Sequence, residues 1–220
     1  MRASMAVPAK PECEGLGCIW GDPRGFVGAL ALMAMALKNG GQNKAALDAL
    51  APKPGDVVLE IGCGPGAGLR EALKRVGRNG FVAGVDRSGR ATHMAAHLAH
   101  RAVLQGRAVT MRAEAADLPF RELMFDGAFA VNSFQFWPDP ARALREIARV
   151  LAPGGRLVIT QRASSLDNPT DFAGAAGGME RIGQASALLK QLGWRIIDER
   201  CDRDGSRLVA VSVVAERPSA

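Results

Sequence analysis

The chain has 220 residues, 48% of them hydrophobic, which suffices for one substantial core and falls short of two ordinary domains. No run approaches the ~20 apolar residues of a membrane helix. The four cysteines, Cys13, Cys18, Cys63 and Cys201, have neither zinc-ligand spacing nor disulfide-rich density, and Met1 to Pro11 lacks the basic-then-apolar order of a secretory signal, so a reducing cytoplasm is the expected compartment. The net charge of +6 is scattered, and 8 Phe, 3 Trp and no Tyr leave no basic run interleaved with stacking aromatics, which argues against a nucleic-acid partner.

From Gly25 to Ala51 the chain carries a helix signal. Phe26, Leu30, Met33 and Leu37 recur at three- and four-residue steps, Gly40-Gly41 predicts a break, and Lys44 to Leu50 a second helix. Residues 1–51 are therefore expected to form a tail and helical lid, with Trp20, Phe26, Met33 and Met35 as lid residues, and residues 52–220 the main domain. Pro52-Lys53-Pro54-Gly55 marks entry to the sheet. Beyond it the pattern alternates. Strands are predicted near 57–61, 81–85, 108–112, 126–131 and 156–160, with helices near 67–76, 89–104 and 139–150. Such alternation implies a doubly wound parallel sheet. A helix over 179–192 follows, then strands over 194–201 and 207–216 joined at Asp204-Gly205, an antiparallel hairpin. The small-residue stretch Ala173 to Gly178 is expected to be a loop.

The chemistry concentrates at the first strand. Val57-Val58-Leu59-Glu60-Ile61 runs into Gly62-Cys63-Gly64-Pro65-Gly66-Ala67-Gly68, a turn where the backbone can approach a ligand with no Cβ in the way. The helix beginning near Ala67 points its free N–H groups into the same crevice. Gly62-x-Gly64-x-x-Ala67 also satisfies the dinucleotide fingerprint, and Asp86, ending the second strand, suits a ribose diol in either case. Glu60 separates the two readings. A carboxylate beside the turn opposes a pyrophosphate and suits a ligand carrying an ammonium and a sulfonium, such as S-adenosylmethionine. The absence of Tyr also removes the tyrosine–lysine acid of short-chain dehydrogenases.

Three further segments, in order, are Ala113-Glu114-Ala115-Ala116-Asp117-Leu118-Pro119-Phe120, Phe125-Asp126-Gly127-Ala128-Phe129-Ala130-Val131-Asn132, and Arg149-Val150-Leu151-Ala152-Pro153-Gly154-Gly155-Arg156-Leu157-Val158-Ile159. With the glycine turn and Trp137-Pro138-Asp139-Pro140, they resemble the class I S-adenosylmethionine-dependent methyltransferases, in the branch that includes the ubiquinone and menaquinone C-methyltransferases. The resemblance runs from about Asn43 to the C-terminus. It implies an α/β, Rossmann-like sheet of seven mostly parallel strands with helices on both faces and an antiparallel final hairpin. It also implies S-adenosyl-L-methionine as cofactor, with S-adenosyl-L-homocysteine as product.

On these grounds Gly62, Cys63, Gly64 and Gly66 approach the methionine moiety with Glu60 beside them, and Asp86 takes the ribose. Glu114 and the Ala115 amide read the adenine edge. Arg87 covers the adenine or points to water, and Asn43 lies near the methionine end or caps a helix. Where the family usually has Gly-Asp-Ala, Ala113-Glu114-Ala115 presents a longer carboxylate to the adenine. Asn132 to Trp137 lies beneath the departing methyl, with Asn132 on the cofactor side and Ser133, Gln135 and Trp137, along with Trp20 and Phe26, on the acceptor side. The resemblance implies in-line transfer of a methyl group to the O, N, C or S atom of a small, partly apolar acceptor, lipids and quinones included. His93, His97 and His100 read as a solvated helix face, Arg142, Arg145 and Arg149 with Glu146 as another. No metal ligand and no catalytic base is assigned. A non-catalytic S-adenosylmethionine-binding subunit or sensor and a nicotinamide-dependent oxidoreductase are the alternatives, and the protein is expected to be a monomer or homodimer.

Overall fold

The computed structural model describes residues 39–163, 177–205 and 207–218. Trp20, Phe26, Met33 and Met35, the helix predicted over 25–37, Cys13, Cys18 and most of the stretch 173–178 lie outside the described residues.

In chain order the elements are α1 (Gly40–Leu50), β1 (Val57–Ile61), α2 (Ala67–Val76), β2 (Phe81–Asp86), α3 (Gly89–Leu98), α4 (His100–Leu104), β3 (Ala108–Arg112), β4 (Phe125–Val131), α5 (Pro140–Val150), β5 (Leu151–Arg162), α6 (Gly177–Gln191), β6 (Arg195–Asp204) and β7 (Arg207–Glu216). The strands form one seven-stranded sheet in the order β3-β2-β1-β4-β5-β7-β6. β1 to β5 are parallel, and β7 lies between β5 and β6, antiparallel to both. Parallel strands this apolar are buried on both faces. Alternation along each strand splits the core in two. Val58, Val82, Phe129, Val158 and Val214 pack with Leu47 and Leu50 of α1 and Leu69 and Val76 of α2. Leu59, Ala83, Ala128, Leu157 and Val213 pack with Leu144 and Ile147 of α5 and Ile182 and Leu189 of α6.

Two expectations are corrected. Gly40-Gly41, expected to precede the second helix, instead open α1, at first-turn positions where amides have no intrahelical partner and glycine's flexibility costs least. The single helix predicted over 89–104 is two, because the chain changes direction at Ala99, burying Ala99 and Ala102 against the core of one face. α1 packs on β4, β5 and β7, so the last residues of the 1–51 segment belong to the sheet's own helical layer.

Arg142 and Arg145 are solvated as expected, but Glu146 and Arg149 are half-buried. Glu146 accepts the Leu118 amide at 3.0 Å while Arg149 donates to the Leu118 carbonyl at 3.2 Å, and a 2.7 Å ion pair joins the two side chains. α5 thereby grips the loop that follows β3.

Candidate ligand crevice

The carboxyl ends of β1, β2 and β4 open onto a crevice where the glycine turn, the residues after β2, the loop after β3 and the residues after β4 converge. This is where ligands sit in open parallel sheets.

Gly62 and Cys63 both donate backbone N–H bonds to the Val85 carbonyl, at 2.8 and 2.9 Å, which fixes the turn to β2. Gly62 has φ +78, and a Cβ there would come within 2.4 Å of the Ser133 Cβ. Gly64 has φ +50 and open space around it, and its N–H donates to Asp86 Oδ2 at 2.9 Å. Gly66, predicted as a ligand contact, does not line the crevice. A Cβ on it would sit 2.8 Å from Ala95, so the glycine serves the approach of the chain to α3.

Asp86 lines the crevice and is fixed from two sides, Oδ2 by the Gly64 amide and Oδ1 by the Ser88 amide at 2.9 Å. These two backbone bonds fix the orientation of the Asp86 carboxylate at the crevice wall.

Glu60 is only 3% exposed. It reaches from β1 beneath the first turn of α2, where a Cβ on Gly68 would come within 2.1 Å of its Oε1. The Leu69 amide bonds to it, and Oε2 has no hydrogen-bond partner among the described residues. Burial first, and the Asp86 charge second, hold its carboxyl well above the usual carboxylate range. Burial also pushes the Cys63 thiol well up, with Glu60 and Asp86 adding to the effect, so Cys63 lines the crevice as a neutral thiol.

Arg87, Glu114 and Ala115 line the far end, the first two exposed. Asn43 is buried on the first turn of α1 and lines the crevice rather than capping the helix. Asn132 has φ +51, an unusual backbone for a non-glycine residue. Its Oδ1 accepts the Arg162 amide at 2.7 Å and its Nδ2 donates to Asn39 Oδ1 at 3.2 Å, so it also ties the ends of β4, β5 and α1 together.

Ser133 is buried, lines the crevice, and donates its hydroxyl to the Ile61 carbonyl at 2.9 Å, a clip between β4 and β1. Gln135 does not line the crevice. Its amide nitrogen donates to the Asn132 carbonyl at 2.8 Å, because the 3₁₀ turn Phe134–Phe136 carries it away. Trp137 lines it with Phe136 and Pro138, while Phe134 is core, edge-on to Trp137 at 5.2 Å.

Sequence reasoning missed Asn39 and Gly68 as crevice residues. A glycine inside a helix eight residues after a buried glutamate was a usable signal for Gly68; Asn39 meets its partners only across the fold. His93 and His97 are exposed on α3, with their Nε2 atoms 3.1 Å apart, away from the crevice.

Residues 59–159 match the family model described as methyltransferase domain. Over 172 residues the chain is 33% identical to O-methyltransferase cnsE of Penicillium expansum, a match covering 72% of this chain and 59% of that protein's length. Over 163 residues it is 31% identical to O-methyltransferase rstn1 of Aspergillus nomiae, covering 71% of this chain and 72% of the relative. Among solved structures, a SAM-dependent methyltransferase from Aquifex aeolicus shares the fold, with a TM-score of 0.70 at 20% identity over 86% of this chain and 97% of that one.

Proposed function

The chain belongs to the class I S-adenosylmethionine-dependent methyltransferase family, and on that premise we propose that it holds S-adenosylmethionine in the crevice and methylates an oxygen of a small, partly apolar acceptor. The observation that carries the reading is the pair of carboxyl groups. Glu60 and Asp86 both line the crevice, and among its described lining residues the sole base is the exposed Arg87. A pyrophosphate would meet two carboxyl groups there; a ligand with an ammonium and a ribose diol finds a partner for each.

The fit follows from the residues present. The Glu60 carboxyl in the crevice wall suits an ammonium, the open backbone at Gly64 a close chain, Asp86 the ribose hydroxyls, and Glu114 with the Ala115 amide the adenine edge. When bound, the cofactor supplies a methyl group already activated on a sulfonium. The protein's part is to position and to exclude water. Trp137, Phe136 and Pro138 form an apolar wall at the methyl end, and Asn132 and Asn39 offer neutral hydrogen-bonding groups there. No histidine lines the crevice, so an acceptor oxygen that ionises readily, as in a phenol or a reduced quinone, fits best. The names of the two curated relatives favour oxygen over nitrogen, carbon or sulfur. Trp20 and Phe26 keep their proposed place as acceptor contacts, and the cytoplasm its place as the site of action. Among the described residues no helix is long and apolar enough to cross a membrane.

Calorimetric titration with S-adenosylmethionine, S-adenosylhomocysteine and NADH tests the reading, followed by transfer of labelled methyl to phenols, hydroquinones and lipids. Micromolar binding of the sulfonium compound and its product, indifference to NADH and label in an ether product support it. NADH binding in their place overturns the cofactor. Tight cofactor binding with no transfer to any acceptor leaves a binding subunit.

A further inference from the structure

Glu60 lies on the face of β1 covered by α2. The groups facing it can be named element by element. From α2 come the Leu69 amide, which bonds to it, and the bare Gly68; from β4 the Phe129 ring, alongside Gly68; from the turn the Cys63 thiol; and from the end of β2 the Asp86 carboxylate. Among the described residues the titratable partners are thus an acid and a thiol, with no cation facing the carboxyl. An ionised Glu60 would be desolvated, unpaired at Oε2 and next to a second negative charge. A buried charge of that kind neutralises itself by taking a proton.

We propose that Glu60 is a carboxylic acid in the empty crevice and surrenders its proton when a ligand seats an ammonium against it, so that cofactor binding releases one proton to solvent. The proposal rests on the cofactor reading above and adds the proton linkage to it. The balance is simple: the acid O–H breaks, the proton goes to buffer, and the carboxylate left behind pairs with the ammonium. No electron moves. The linkage makes affinity rise with pH, by up to about tenfold per unit while the empty-state acid remains protonated. It also makes the amine, and not the nucleoside, the part of the ligand that senses pH.

The test compares S-adenosylhomocysteine with 5′-methylthioadenosine, which keeps the adenosine and thioether but lacks the amino acid. Each is titrated into the wild-type protein near pH 7 in two buffers of different protonation enthalpy, which yields the protons exchanged. S-adenosylhomocysteine should release about one proton and methylthioadenosine none, with only the former gaining affinity as pH rises. The Glu60→Gln variant should bind S-adenosylhomocysteine more weakly and without release. Equal release with both ligands, release that persists in Glu60→Gln, or micromolar binding of S-adenosylhomocysteine with none would each overturn the proposal. The wild-type comparison decides even if the variant does not fold. Failure of both nucleosides to bind would instead sink the cofactor reading itself, and the linkage with it.

Discussion

Gly68 and Glu60 act as one unit: the glycine exists where the glutamate needs space. A methyl group at Gly68 would meet Glu60 Oε1 at 2.1 Å and Phe129 at 3.2 Å, so Gly68→Ala must push the carboxyl from its seat. Overpacking of that kind costs about 1–3 kcal/mol. We expect a roughly tenfold or greater loss of S-adenosylhomocysteine affinity by calorimetry, and wild-type affinity in Gly68→Ala would remove Glu60 from the site. Glu60 also sets a sign for stability. Its proton affinity is raised in the folded state, so folding binds a proton that the unfolded chain has lost, and stability falls as pH rises above the unfolded carboxylate range. Glu60→Gln should therefore melt higher than wild type in ligand-free buffer, by a margin that widens from acid to neutral pH. A constant or reversed margin in thermal melts would refute it. At the other end of the crevice, Trp137→Ala removes part of the apolar wall and an edge-on partner of Phe134, and should raise the acceptor KM while cofactor affinity stays near wild type. The opposite split would move Trp137 to the cofactor side.

α5 shows how an element can serve a crevice it does not line. Asp139 caps it by accepting the Arg142 amide at 2.9 Å, Pro140 occupies its first turn, and its apolar side carries Leu144 and Ile147 into the core. From its last turns Glu146 and Arg149 hold both backbone groups of Leu118, three residues beyond Ala115. The Arg149 hydrogen bond keeps the Glu146 carboxyl below the usual range, so its stabilisation is present above the unfolded carboxylate value and lost as pH falls through the folded one. Because the pair is partly solvated, Glu146→Ala should cost only about 1 kcal/mol near neutral pH and less in acid. Melting curves at two pH values check this, and an equal loss at both would mean that the charge is not what matters. The helical spacing of Arg142, Arg145 and Arg149 was visible in the sequence; that one of them faces a loop from another part of the chain was not.

For the whole molecule, a ligand bound at the ends of three strands couples to every element that holds them. S-adenosylhomocysteine at a hundredfold excess over its Kd should raise stability by about 2.7 kcal/mol, seen as a higher Tm, with NADH leaving it unchanged. A shift with NADH would return the crevice to the dinucleotides. The order of strands and helices, the hairpin at Asp204-Gly205, and Glu60, Gly62, Gly64, Asp86 and Trp137 as crevice residues were legible in the sequence, because hydrophobic period, glycine turns and strand-end acids are local signals. Gly66 and Gln135, which do not line the crevice, and the backbone-tying bonds of Ser133 and Asn132, which do line it, show what was not. Gly66 packs on Ala95, Ser133 clips Ile61, Gln135 turns aside to a backbone carbonyl, and Asn132 reaches Asn39 and Arg162. Each of these roles is decided by what lies across from the residue or by the local turn geometry. The sequence alone determined which backbone would bend and where acids would end strands, since those depend on neighbours in the chain. Tertiary structure alone decided which of those side chains line the crevice and which turn to the protein, and left Glu60 buried with no counter-charge among the described residues, since both depend on neighbours that only packing brings together.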